Sequence, residues 1–229
     1  MVRARELNYD TDATGTEMAE TIFGDGVEVV SASYSGDDDS SAIYSNGDSL
    51  ASGATPGDTG VIFSTGNAAD YTNSKGQSNQ SNSKSTNTDG ETGNSDFNAA
   101  AGTQTYDASY LDVTFVPDGD FITMQFVFGS EEYPEYTNSI YQDFVGVWIN
   151  GEFVNVEFGN GDADPGNINA GTNENLFLDN TNDAYNTEMD GLTVTMTLTI
   201  PVNAGEENDI RIGIADVSDS SYDSNLLIA

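Results

Sequence analysis

The apolar residues of this chain fall in short runs, most of them alternating with polar ones and bounded by Gly, Asp, Asn or Pro. The clearest is LTVTMTLTI, where Leu192, Val194, Met196, Leu198 and Ile200 alternate with Thr193, Thr195, Thr197 and Thr199. A period of two predicts a strand with its aliphatic side on a core and its threonines outward. Pro201 then limits the ladder or places it at an edge. VEVVSASY (27–34), VIFST (61–65), LDVTFV (111–116), FITMQFVF (121–128), FVGVWI (144–149), IRIGIA (210–215) and NLLI (225–228) are rich in β-branched and aromatic residues and read as further strands. LDVTFVPDGDFITMQFVF reads as two antiparallel strands joined by a turn at Pro117 to Asp120. One stretch has helical spacing, TGTEMAETIFG, with Thr14 or Thr16 as cap, Glu17 and Glu20 at the positive end and Gly24 as stop. Roughly eight to ten strands suffice for two packed sheets. The expected fold is all-β: a two-sheet antiparallel β-sandwich, jelly-roll-like, with one short N-terminal helix and long polar loops, formed by residues 1–229 as a single domain.

Between Tyr71 and Gly102 the pattern gives way to Ser, Asn, Thr and Gly. As a bare loop this segment is too long for a compact domain. It reads either as a mobile insertion or as a segment ordered by cations, with Asp89, Glu91, Asp96 and Asn98 as ligands.

Charge changes the picture most. Asp+Glu number 39 and Lys+Arg 5, a formal net charge of -34 at pH 7, and the cations are Arg3, Arg5, Lys75, Lys84 and Arg211. Such a surface repels phosphate, which argues against nucleic acid and anionic membranes as partners. Self-repulsion of this size calls for high salt or bound divalent cations. Cys and His are both 0, so thiolate and imidazole catalysis and soft-metal sites are excluded, while oxygen ligands suited to calcium are plentiful. There is no apolar run long enough to cross a membrane and no leader-like apolar segment at MVRARELNYD. With the terminal SNLLIA, this reads as an excised module or a protein exported by another route.

The acids cluster between strands. FVFGSEEYPEYTNSIYQDFVGVWING (126–151) holds Glu131, Glu132, Glu135 and Asp143, with Asn138 among them, and no basic residue. A carboxylate pair is sufficient for glycoside hydrolysis, but adjacent Glu131 and Glu132 point to opposite sides of an extended chain. Gly129 and Pro134 break regular structure there, so a solvated turn and a metal loop remain equally open. IADVSDSSYDSNLLI places Asp216, Asp219 and Asp223 after a second strand, where they either diverge into water or share a cation. Asp10 with Asp12 and Asp162 with Asp164 form weaker D-x-D pairs without the spaced Glu of an EF-hand loop. Scattered acidity of a high-salt protein is the alternative source of the charge; clustering between strands argues partly against it, and the two are compatible.

With FGSEEYPEY and IADVSDSSYDS in place, and with TGTEMAETIFGDGVEVVSASYSG, GVIFSTGNAADY and EMDGLTVTMTLTIPVNAG around them, the chain resembles the choice-of-anchor L family across nearly its whole length. The resemblance implies a β-rich domain of bacterial surface and secreted proteins, often accompanied by calcium-binding repeats, and implies no enzymatic activity. The matching acidic positions are Glu131, Glu132, Asn138 and Asp143 in the first motif, and Asp216, Asp219 and Asp223 in the second. The expectation is a non-catalytic, calcium-stabilised extracellular module acting in adhesion or recognition of a glycan or peptide, with Tyr133, Tyr136, Tyr141 and Tyr222 as candidate stacking residues. The alternative is a subunit that self-assembles into an extracellular filament or layer, docking through strand edges or through Arg3 and Arg5 of its N-terminal segment.

Overall fold

The computed structural model describes residues 2–158 and 161–229. Its strands form two antiparallel sheets, as the alternating pattern demands. In the larger sheet the spatial order is β1 (Asn8–Asp10), β3 (Ser41–Ser45), β4 (Thr59–Ser64), β15 (Ser224–Ile228), β6 (Phe121–Ser130), β12 (Gly191–Thr193) and β11 (Phe177–Asp179), with β13 (Met196–Pro201) also on β6. The smaller sheet runs β2 (Val27–Ser35), β5 (Thr105–Pro117), β14 (Asn208–Val217), β7 (Phe144–Ile149) and β8 (Glu152–Phe153). A separate pair is β9 (Glu157–Phe158) with β10 (Gly161–Asp162).

The sheets face each other across a core that includes Phe63, Leu111, Phe115, Phe126, Phe128, Val147, Ile212, Ile214 and Leu226. The outer side of the larger sheet is also covered: Val127 and Leu227, alternate to those core residues, pack with Tyr44, Ile62, Tyr71, Met189 and Leu192. Burial on both sides explains why the central strands carry consecutive apolar residues, as in FVF (126–128) and LLI (226–228). Helix α1 (Gly15–Ile22) closes one side of the core with Met18 and Ala19. Thr14 caps it in a reciprocal box with Glu17, the Glu17 N–H donating to Thr14 Oγ1 (3.3 Å) and the Thr14 N–H to Glu17 Oε2 (2.8 Å). The helix ends at Phe23, which is extended, so Gly24 is not needed as a left-handed stop.

Three local expectations are corrected. β5 and β6 do not form a hairpin: β5 pairs with β2 and β14, β6 with β15, β12 and β13, so the turn after Pro117 carries the chain from one sheet to the other. Pro and Gly mark a turn but not which partners the flanking strands take. LTVTMTLTI is two strands: Leu192 pairs with Gly129 and Met196 with Phe126, four residues against three, so one extra residue is accommodated at Val194–Thr195. The slip turns Leu192 to the outer cluster and Met196 to the inner core, and Thr193 is buried, accepting the Phe128 N–H at 3.1 Å. Finally, α1 has two companions, α2 (Gly47–Leu50) and α3 (Ser95–Ala101), the latter inside the polar insertion, where Phe97 packs on Tyr110, Phe144 and Trp148.

Candidate metal centre

The two acidic motifs meet. Ser130, the last residue of β6, pairs with Ser224 at the start of β15, and the Glu131 N–H donates to the Asp223 carbonyl (3.1 Å). Pairing of strands far apart in sequence thus brings FGSEEYPEY against SDSSYDSN at one end of the sandwich. Glu131 and Glu132 lie on opposite sides of this junction, as adjacency on an extended chain requires, and the acids divide accordingly into two groups.

The inner group lies between the sheets. Glu132, Asp143 and Asp216 are buried, at 2%, 1% and 3% exposure. Asp143 precedes β7, and its Oδ1 accepts the Val217 N–H (3.0 Å) while Oδ2 accepts the Ser224 hydroxyl (2.7 Å). Glu132 Oε2 accepts the Asp143 N–H (3.2 Å), and the Glu132 N–H donates to Ser130 Oγ (2.9 Å). The carboxyl groups of Asp143 and Asp216 are in hydrogen-bonding contact with each other. Burial raises the pKa of all three; the mutual charge of Asp143 and its neighbours adds to the rise for Glu132 and Asp216. Two carboxyls in contact must share a proton or a cation, yet Asp216 Oδ1 is buried without a donor. Asp219 stands at the rim, half-exposed, accepting the Ser221 N–H (3.1 Å), and its charge acts on both Glu132 and Asp143.

The outer group lies on the far side of the larger sheet. Glu131 is fully buried; its Oε2 accepts the Lys84 N–H (3.2 Å) and its Oε1 has no donor. Burial, with the charge of Asp190, pushes its carboxyl up to about 9. Asp223 accepts the Thr86 N–H and hydroxyl, both at 2.7 Å, and burial holds it at about 6. Asp190 and Glu188, which sequence reasoning missed, are buried beside them. Asp190 Oδ1 accepts from Asn79 Nδ2 (2.6 Å), and Glu188 accepts from the Gln80 N–H (3.1 Å) and Asn73 Nδ2 (3.1 Å). Their signal was visible in TEMDG, two acids entering the strand that lands beside FGSEE.

These bonds account for the polar insertion. Residues 73–88 form a strap whose backbone and amide donors hang on buried carboxylates, which is why so many Ser, Asn and Gln suit it. Three of the proposed loop ligands are used elsewhere: Asp96 pairs with Arg211 (2.6 Å), Glu91 accepts from Asn94 and Tyr110, and Asn98 Oδ1 accepts from Thr105; at Asp89 the backbone N–H donates to Asp37. Asn138 is exposed and donates to the adjacent Thr137 rather than to the buried acids. Tyr133 is a core residue, its hydroxyl donating to the Ile168 carbonyl (2.7 Å), whereas Tyr136, Tyr141 and Tyr222 form an edge-on cluster above the junction. Asp10 forms a local turn with the Asp12 N–H. The Asp162 side chain lies outside the described residues, and Asp164 caps its own loop through the Asn167 N–H (2.8 Å). Among the described residues no three acids are drawn together as a finished metal cage; the donors stand as two open sets.

The chain is thus an acidic β-sandwich with two groups of buried carboxylates at the junction of two strand-end motifs. The family model for the Choice-of-anchor L domain matches residues 6–229, and the chain belongs to that family. The family is one of non-catalytic domains of bacterial surface or secreted proteins. Comparison with curated proteins and with solved structures finds no match. Among the described residues no helix is long and apolar enough to cross a membrane.

Proposed function

We propose that this chain is a calcium-stabilised, non-catalytic module of an exported protein that acts in adhesion or ligand recognition, with the inner carboxylate group as its cation site. The observation that carries the reading is Asp216 Oδ1: a buried, unpartnered oxygen in a carboxylate that touches a second buried carboxylate. Glu132, Asp143 and Asp216 supply only hard oxygen donors, the chemistry calcium prefers, with Asp219 at the rim as a further ligand. A bound divalent cation takes the place of the shared proton, offsets the repulsion and fixes the loops that carry Tyr136, Tyr141 and Tyr222. Glycan hydrolysis has no support in this geometry, because Glu131 and Glu132 sit on opposite sides of β6, both buried, and cannot flank one bond.

Calcium titration of wild type and Asp216→Asn by calorimetry tests the reading. Binding that persists unchanged in Asp216→Asn removes the inner group from the account. The filament alternative has lost its free arm: the Val2 N–H donates to Asp183, the Arg5 N–H to Asn186, and β1 is paired with β3 of the same chain.

A further inference from the structure

Register places three acids in a row. Ser130 of β6 lies opposite Ser224 of β15 on one side and Gly191 of β12 on the other. The next residues outward are Glu131, Asp223 and Asp190, each just beyond its strand; the register places them side by side at this end of the larger sheet, where Asp190 and Asp223 act by their charge on Glu131. Asn225, two residues along β15 from Asp223, points to the same side. Each acid uses an oxygen to hold the strap: Asp190 takes Asn79, Glu131 takes Lys84, and Asp223 takes Thr86. What remains is a set of buried oxygens without donors, Glu131 Oε1, Asp190 Oδ2 and Asn225 Oδ1, at residues 0%, 1% and 1% exposed. The amide nitrogen of Asn225 is turned to Met189 Sδ (3.0 Å), which leaves its oxygen to the row. The nearby ammonium is Lys84 Nζ, and it is bound to Asp70 at 2.9 Å.

We propose that Glu131, Asp190 and Asn225 form a second divalent-cation site, on the opposite side of β6 from the inner group, and that its occupancy latches the strap of residues 73–88 onto the sheet. Two carboxylate oxygens and one amide oxygen suit calcium, which completes its shell with water and carbonyls. The strap is fastened to two of the three side chains that hold the ion, Glu131 and Asp190, so a cation that draws these together fixes the atoms on which Lys84 and Asn79 hang. Among the described residues the inner site has no hydrogen bond to the strap, which makes the two separable: strap closure reads the outer site alone.

The chain offers its own reporter. Lysine occurs at positions 75 and 84 only, both in the strap, and a lysine-specific protease therefore cuts nowhere else. Lys75 is exposed and serves as the reference; Lys84 is half-buried over the site. In wild type, calcium at ten times its dissociation constant slows cleavage at Lys84 about tenfold relative to EDTA, because cleavage follows the open population, while Lys75 changes little. Asn225→Ala, which removes a free oxygen without touching any strap bond, and Asp190→Asn both abolish the protection; Asp216→Asn keeps it. Equal cleavage at Lys84 with and without calcium in wild type overturns the proposal, as does protection that survives in Asn225→Ala and Asp190→Asn. Protection lost only in Asp216→Asn also overturns it, by assigning the latch to the inner site. Loss of calorimetric binding in Asp216→Asn is scored separately and bears on the inner site alone.

Discussion

Glu131→Gln should stabilise the protein without calcium and weaken it with calcium. Glu131 is fully buried beside Asp190, and its carboxyl is raised from 4.5 to about 9. A raised acid contributes its full stability below pH 4.5 and loses it as pH rises toward 9, because the unfolded chain releases the proton first. At pH 7 the native state must hold a proton that the unfolded state has given up, which costs about 3 kcal/mol at 1.36 kcal/mol per pH unit. Glutamine carries no such cost. Its amide oxygen can still accept the Lys84 N–H, and its amide is neutral beside Asp190, whose charge adds to the rise at Glu131. In EDTA at pH 7 the variant should therefore melt higher than wild type by on the order of 10 °C, at roughly 2 to 4 °C per kcal/mol for a chain of this length. At pH 4.5 the two should coincide. In saturating calcium the gap should close or reverse, since the variant lacks a cation ligand. Thermal melts of both proteins in these three conditions check this. A variant that melts lower in EDTA at pH 7, or a gap that does not change between pH 4.5 and pH 7, refutes the reasoning.

Three structural predictions stand beside it. Thr14→Ala removes one half of the α1 capping box and should cost about 1 kcal/mol, read as a fall of a few degrees in melting temperature. Arg211 forks onto Asp112 at 2.7 and 2.9 Å, reaches Asp96 at 2.6 Å and stacks 4.4 Å from the Tyr110 ring centre, so Arg211→Lys should lose about 1 to 2 kcal/mol in denaturant titrations, less at high salt. Gly213, in β14 between β5 and β7, has room for no Cβ: one would fall 2.7 Å from Tyr110 Cα, so Gly213→Ala should yield little soluble folded protein on expression.

Much of the fold was legible because alternation is a local signal. The strands over 27–34, 61–65, 121–128 and 210–215 and the capped helix at Thr14 all lie where their patterns place them. What the pattern does not carry is partnership. PDGD reads as a hairpin turn and instead joins two sheets; LTVTMTLTI keeps its period of two on paper while one inserted residue reverses it in space. The candidate site divides in the same way. Clusters at 131–143 and 216–223 drew attention by their unbalanced charge, and the divergence of Glu131 from Glu132 followed from strand geometry. The roles of Asp190, Glu188 and Asn225 depend on which strand lands beside β6, which no local pattern states, and the strap's hydrogen bonds end on acids about a hundred residues away, so its Ser, Asn and Gln carry no local sign of order.

On the reading proposed above, calcium rather than bulk ionic strength balances the buried acids. Thermal melts of wild type at pH 7.5 and one fixed ionic strength, with excess calcium against EDTA, test it most directly. Calcium at a hundredfold over its dissociation constant adds about 2.7 kcal/mol, and the account predicts a rise of about 5 to 10 °C. An equal rise in matched sodium chloride, or no difference between calcium and EDTA, would contradict it.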